Sequence, residues 1–339
     1  MHLLSTNLLT HPGLIITFGI VILLMLILDL GLFNKKSHVI GNKEATIWSL
    51  VWISLSMVFS AVIYFVFKSD SPELAIEKFS QFQAAYWIEK ALSVDNLFVF
   101  ILVFRFFNVP REIHHKVLFW GIIGALLFRA IFIFTGIGIV NLTYLPSFRI
   151  FEKAVSINVV LTLFGFFLIY AGFKSWFVED DDDDQKDFSK SLGAKTVHKI
   201  FKVSKDFDGD KFFTIENGIR VATPLLVVIG VIEFTDLLFA VDSIPAIFAI
   251  APNDPFILYT SNIFAILGLR ALYFLLANFI HMFSKLKFGL AIILAFIGFK
   301  MVIAPFFHIS SPISLAIVGG VLIVSLVASI LTREKNESK

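Results

Sequence analysis

The sequence predicts an all-α protein that crosses a lipid bilayer many times, and three observations support this fold class. Of 339 residues, 58% are hydrophobic and only 16% are charged, whereas a soluble domain carries about 25% charged residues. The mean hydropathy is +0.87. Nine apolar runs are each long enough, at about 20 residues, to span a bilayer as a helix. We therefore expect a single polytopic transmembrane domain over residues 1–339.

The nine predicted helices are joined by short connections and one long insertion. They cover residues 12–33, 45–67, 83–104, 117–137, 155–177, 222–251, 257–281, 289–306 and 312–331. The first run has no basic stretch before it and no small-residue cleavage site after it, so we interpret it as a retained helix. The insertion, residues 178–221, opens with Glu179 and the run Asp180 to Asp184 and is predicted to be a solvated acidic loop.

The basic residues predict the orientation of the chain. Eleven Lys and Arg residues in the short connections fall on one side of the predicted topology and four on the other. By the positive-inside rule, the N-terminus lies outside, and the C-terminus and the 178–221 loop lie in the cytoplasm. We expect the inner (cytoplasmic) membrane, with the bilayer as a partner. The net charge of +2 forms no basic stripe, so no nucleic-acid partner is expected.

An internal repeat is visible in three pairs of short phrases that recur in the same order. They are EKALSVDNL (89–97) and DLLFAVDSI (236–244), Arg-Ala at 129–130 and 270–271, and Gly-Phe-Lys at 172–174 and 298–300. Helices 3 and 6 cross the predicted membrane in opposite directions. Helices 3–5 and 6–8 are thus predicted to form an inverted repeat of three plus three helices, an arrangement typical of transporters.

Charged residues inside helices 3 and 6 are the strongest functional signal. Translocon scales give a cost of about 2.5–3.5 kcal/mol for one ionised side chain at the membrane centre. Such groups must face a cavity, bind a cation, take up a proton or form ion pairs. The acids are Glu89, Asp95, Glu233, Asp236 and Asp242, and the bases expected to form ion pairs or gate the site are Lys90, Arg129, Arg270 and Lys300. Because the five acids outnumber the four bases, some carboxylate remains unpaired and can bind a cation.

The donor types indicate which cation would bind. Carboxylates together with Asn96 and Ser243 form an all-oxygen set, which favours Mg²⁺, Ca²⁺ or Mn²⁺ over Cu⁺ or Zn²⁺. The predicted metal ligands are Glu89, Asp95, Asn96, Glu233, Asp236, Asp242 and Ser243. Pro245 predicts a break in helix 6 around Asp242–Ser243. Symmetry predicts a matching break in helix 3 around Asp95–Asn96.

The phrases EKALSVDNLFVF, EFTDLLFAVDSIPAIFAI and TSNIFAILGLRALYFLLA resemble the TerC family of integral membrane proteins, specifically its Alx-like branch. The resemblance covers almost the whole chain. It implies manganese efflux, with Glu89, Asp95, Asn96, Glu233, Asp236 and Asp242 matching the acidic motifs of the family. We therefore expect a membrane transporter that exports Mn²⁺ or another hard divalent cation, with protons as a possible counter-ion and no prosthetic group.

Two other classes of protein compete with this interpretation. A non-transporting scaffold that helps to assemble other membrane proteins is the main alternative, but it would not need five buried acids. An intramembrane aspartyl protease also uses two membrane aspartates. That chemistry accompanies glycines before the aspartate, and neither Asp95 nor Asp242 has them. We therefore expect that the protein is not an enzyme.

Overall fold

The computed structural model describes residues 12–33, 41–150, 153–177, 187–252, 254–278 and 286–337. Within these ranges it describes the backbone alone at residues 26–33, 95, 148–150, 153–154, 241–242, 278, 330 and 332–337. The predicted acidic run Asp180 to Asp184 lies outside the described residues.

The described chain is built almost entirely from helices, which confirms the all-α membrane fold. They are α1 (Pro12–Phe33), α2 (Asn42–Lys68), α3 (Pro72–Phe106), α4 (His114–Leu142), α5 (Val159–Phe177), α6 (Leu192–Ile200), α7 (Pro224–Phe248), α8 (Pro255–Leu267), α9 (Leu269–Asn278), α10 (Leu286–Ile303) and α11 (Ser311–Glu337). Two antiparallel hairpins connect them: β1 (Phe148–Ile150) with β2 (Lys153–Val155), and β3 (Phe213–Glu216) with β4 (Ile219–Ala222).

Six described helices are long and apolar enough to cross a membrane, namely α2, α4, α5, α7, α10 and α11. The pair α8 and α9 adds a seventh if the two helices form one bent span. α3 has 35 residues, long enough to cross a bilayer, although its polar residues keep it out of that set. The count of nine helices and the inverted repeat remain predictions.

α3 begins eleven residues before the predicted start at residue 83. Ser71 accepts a hydrogen bond from the backbone N–H of Leu74, and Pro72 occupies the first helical position, so the helix start is capped. The added turns carry Lys78, whose ammonium lies 2.6 Å from the carboxylate of Asp254. Asp254 also caps the start of α8 by accepting from the N–H of Ile257. The start of α3 is thus tied to the start of α8.

Three glycines let α5 and α10 pack with their backbones close together. A methyl group on Gly165 would lie 2.9 Å from the carbonyl oxygen of Gly298, and one on Gly172 would lie 2.6 Å from that of Ala291. The contact thus moves seven residues forward along α5, from Gly165 to Gly172, while it moves seven residues backward along α10, from Gly298 to Ala291. The two helices run antiparallel, as expected for equivalent helices of an inverted repeat.

The predicted helix breaks are wrong, and a different break exists. α3 runs through Asp95–Asn96, and α7 runs through Asp242–Ser243 with Pro245 inside it. The predicted single span 257–281 is instead bent by 41° where α8 ends and α9 begins, at Gly268. A proline thus stays within a continuous helix, while a glycine marks the bend.

Residues 187–222 are not simply a solvated loop, because the described part of the insertion folds against the helices. α6 packs on α7 so closely that a methyl group on Gly193 would overlap the backbone of Gly230. The ammonium of Lys116, near the start of α4, lies 2.9 Å from the carboxylate of Asp210. This hydrogen bond lowers the pKa of Asp210. The segment is therefore anchored at the start of α4.

Candidate functional site

Arg129 on α4 joins acidic side chains from two other helices. Its Nη1 donates to Oε1 of Glu89 on α3, and its Nη2 lies 3.8 Å from Oδ1 of Asp236 on α7. Nη1 also lies 3.4 Å from Oγ of Ser243. The side chains of Arg129, Glu89 and Asp236 are 1%, 0% and 6% exposed. The structure therefore brings four predicted site residues into one buried network, which we call the Arg129 network.

Helical spacing explains why these residues meet. Glu89, Ser93 and Asn96 follow one another at intervals of four and three, so they share one face of α3. The Ser93 hydroxyl lies 3.4 Å from Oε1 of Glu89 and donates to it. On α7, Asp236 and Ser243 are two turns apart on the same face, which is the face that meets Arg129.

Glu233 lies one turn before Asp236, and its carboxylate packs against Gly124 on α4. A methyl group at position 124 would overlap this carboxylate. Asp236 follows three residues later and lies on the same side of α7. Glu233 therefore continues the row of acids along the interface between α4 and α7.

The described acids of the site outnumber its base. Glu89, Glu233 and Asp236 carry three negative charges and Arg129 one positive charge, which leaves a net charge of −2 when all are ionised. One oxygen of each carboxylate is buried without a hydrogen-bond partner among the described residues. Such atoms lose solvation without compensation. These three oxygens can therefore accept a cation or a proton.

The described side chains do not complete a metal centre. They contain no group of three or more His, Asp or Glu side chains that could hold a metal ion. Asp95 and Asp242 lie on the continuous helices α3 and α7, about 120° around the axis from Glu89 and Asp236. Their side chains are outside the described part of the structure, so their role as ligands stays a prediction. The oxygen donors of the described residues suit a hard cation. The number of ligands around such a cation depends on whether Asp95 and Asp242 bind it.

The other predicted bases have partners of different kinds. Lys90 donates from Nζ to the carbonyl oxygen of Ala265 at 3.2 Å, in the last turn of α8. This places a cation at the negative end of a helix, next to the bend at Gly268. Lys300 donates to the hydroxyl of Ser314 at 2.9 Å and so links α10 to α11. Arg270 is buried on α9, within electrostatic range of His115.

Asn96 is buried on α3, but no described contact connects it to the Arg129 network.

Sequence reasoning missed three residues of this region. Ser93 could have been found from its spacing of four after Glu89, whereas nothing in the sequence marks Gly124 as the partner of Glu233. Asn262 on α8 is fully buried, and neither polar atom of its side chain has a hydrogen-bond partner among the described residues. The only feature of the sequence that could have indicated Asn262 is its position in the phrase TSNIF.

Comparisons with known proteins agree with the membrane fold. Residues 74–337 match the family described as "Integral membrane protein TerC family". A protein of Myxococcus xanthus named "Uncharacterized membrane protein STKORF319" is 42% identical over 321 residues, which cover 94% of this chain and 92% of that protein. The Escherichia coli K12 protein named "Putative membrane-bound redox modulator Alx" is 39% identical over 312 residues, covering 91% and 92%. No solved structure matches the chain.

Proposed function

The chain belongs to the TerC family of integral membrane proteins, and from this premise we propose that it is a transporter that exports a hard divalent cation, with Mn²⁺ as the cargo. The observation that carries the proposal is the Arg129 network. Two buried carboxylates, Glu89 and Asp236, share a single guanidinium, the half-buried Glu233 lies one turn away on α7, and each of the three has an oxygen without a partner among the described residues. A structural ion pair would need one acid for one base, so the excess negative charge is the functional feature.

The chemistry of the donors selects the class of cation. Carboxylate oxygens, with the hydroxyl of Ser243 and the amide of Asn96, are hard ligands that suit Mn²⁺, Mg²⁺ or Ca²⁺. The chain contains no cysteine, so it has no thiolate for a softer metal. We assign Glu89, Glu233 and Asp236 as ligands, with Asp95 and Asp242 completing the set.

Arg129 has a specific part in this proposal. Its guanidinium pairs with Oε1 of Glu89 and Oδ1 of Asp236, which leaves the second oxygen of each carboxylate for a divalent cation. A cation bound there would be repelled by the guanidinium, so cation binding opposes the ion pairs of Arg129. Protons compete for the same carboxylates, and metal binding to carboxylates releases protons. Cation/proton exchange follows if the site opens to one side of the membrane at a time.

The relatives named as redox modulators suggest an indirect connection. Without cysteine, this chain has no thiol that could be oxidised or form a disulfide. Manganese is itself a redox-active metal. Under the proposed function, an effect on cellular redox state would follow from the amount of manganese that the protein removes.

The test uses the full-length protein in inverted membrane vesicles that contain a pH dye. Added Mn²⁺ should enter the vesicles and drive protons out at a clamped membrane potential. Asp95→Asn and Asp242→Asn should each abolish both fluxes while the protein still reaches the membrane. Glu216→Gln, which changes an exposed acid on β3, is the matched control and should transport normally.

Two results would contradict parts of the proposal. Manganese uptake equal to that of vesicles without the protein would exclude transport and favour a scaffold. Uptake without proton movement would exclude exchange and leave export intact.

A further inference from the structure

A cavity of about 440 Å³ lies where the end of α3, the start of α4 and α9 meet. This volume is in the range of small-molecule sites in proteins. Two arginines line it, Arg105 from the last turn of α3 and Arg111 from the turn that precedes α4. The cavity is distinct from the Arg129 network, because none of its lining residues belongs to that network.

The guanidinium groups of Arg105 and Arg111 form no ion pair that would stabilise the described part of the fold. Both side chains are exposed, and neither forms an ion pair with a described acid. Arg105 is not needed to cap α3, because backbone N–H groups satisfy the last carbonyls: Val109 donates to Phe104 and Asn108 donates to Arg105. Asn108 adopts the left-handed conformation (φ 48°) that this helix end requires. Two positive charges therefore line the cavity with no ion-pair partner among the described acids.

The inner polar wall of the cavity is fixed by its own hydrogen bonds. His114 Nε2 lies 2.9 Å from the carbonyl oxygen of Val109, which can only accept, so this nitrogen carries the proton. In the neutral ring Nδ1 then accepts from the hydroxyl of Tyr273 at 3.0 Å. Arg105 and Arg111 line the same cavity as His114 and Tyr273. Two hydrogen bonds therefore orient the His114 ring in this wall, and the arginines add cationic donors.

The remaining walls are apolar and include Ile101, Phe104 and Ala277. We propose that this cavity binds a phosphate group, held by Arg105 and Arg111. Planar guanidinium donors match the oxygens of phosphate in pairs. The phosphate can belong to an anionic phospholipid or be free in solution. The apolar walls favour the lipid, because they would contact the glycerol and the first acyl carbons.

The test measures lipid binding to the purified full-length protein in detergent by native mass spectrometry. Phosphatidylglycerol should bind more tightly than phosphatidylcholine. The double variant Arg105→Ala/Arg111→Ala should bind phosphatidylglycerol about thirtyfold more weakly, since both positive charges are lost. Arg105→Lys/Arg111→Lys keeps the charges but loses the paired donors, so its affinity should lie between those of the wild type and the alanine double variant. Arg220→Ala removes an exposed arginine that packs over Phe213, away from the cavity, and should bind as the wild type does.

The source of the phosphate is decided by a second measurement. If inorganic phosphate raises the melting temperature of the wild type but not of the alanine double variant, and lipid preference is absent, the ligand is free phosphate. Equal binding of phosphatidylglycerol and phosphatidylcholine, together with no effect of inorganic phosphate, would overturn the proposal. Unchanged phosphatidylglycerol binding by the alanine double variant would overturn it as well.

Discussion

The carboxylate of Glu233 on α7 occupies the space beside Gly124 on α4 that any larger residue at position 124 would fill. The two helices run parallel here, since Gly121 faces Ile232 and Gly136 faces Phe248 in the same order. The absence of a side chain at position 124 therefore allows an acidic residue to lie inside a tightly packed helix interface. The position of this carboxylate depends on that one glycine.

Replacing Gly124 by alanine should displace Glu233 and impair Mn²⁺ export. Because the methyl group meets only the end of the flexible Glu233 side chain, that side chain can turn away and the melting temperature should change little. Gly138→Ala lies on the same helix, where an added methyl group meets no atom within 4 Å, and it is the matched control. Transport rates of the two variants in vesicles should differ clearly; equal rates would show that Glu233 is not part of the pathway.

Arg129→Gln should destabilise the protein more than Glu89→Gln does. The first change leaves Glu89 and Asp236 without a counter-charge, whereas the second leaves Arg129 with Asp236 at 3.8 Å. Breaking a buried ion pair by removing one partner costs about 3–5 kcal/mol. Thermal unfolding in detergent measures the order, with the exposed Arg220→Gln as control. The double variant Glu89→Gln/Arg129→Gln should lose less than the sum of the single variants, and strict additivity would argue against coupling.

Lys90→Met should weaken the junction between α8 and α9. The change removes the hydrogen bond to Ala265 and the positive charge at the end of α8, which together contribute about 1–2 kcal/mol. The control is Lys68→Met at the exposed end of α2. Hydrogen exchange of the amides in α9 should increase in the Lys90 variant alone. Unchanged exchange would mean that Lys90 does not stabilise the bend.

Reporters placed at the two ends of α3 should read opposite sides of the membrane. Asp254 pairs with Lys78 near the start of α3, while Asp210 pairs with Lys116 just beyond its end. With 35 residues, α3 is about 50 Å long. A reporter inserted at Gly209 should read cytoplasmic and one near residue 253 external. The same reading at both points would refute the orientation derived from the basic residues.

Helix positions followed from the apolar runs, but helix starts depended on caps that hydropathy does not detect. The predicted helix 83–104 leaves out the polar residues Lys78 and Gln81, which are buried on α3 in the structure. Ser71 and Pro72 start the helix. α5 likewise starts after Asn158, whose side chain accepts from the N–H of Leu161. A side-chain cap is a local signal, whereas the burial of polar residues depends on which helices become neighbours.

The burial of the acids was predictable, whereas their pairing was not. The free-energy cost of a charged side chain in a membrane predicted that Glu89 and Asp236 lie inside the protein. Only the packing of α3, α4 and α7 shows that Arg129 pairs with both. The bend lies neither at Pro245 of α7 nor at the point of α3 that symmetry predicted. It occurs where the ammonium of Lys90 satisfies a carbonyl oxygen at the end of α8, an interaction between residues 175 positions apart.

The contact of α5 with α10 restricts how the protein can move. Gly165 and Gly298 meet backbone to backbone, and one residue further along either helix presents a side chain turned by about 100°. Rotating or sliding one helix on the other would drive that side chain into a main chain. We therefore expect α5 and α10 to behave as one rigid pair, so that a movement of either helix relative to the rest of the molecule carries the other with it.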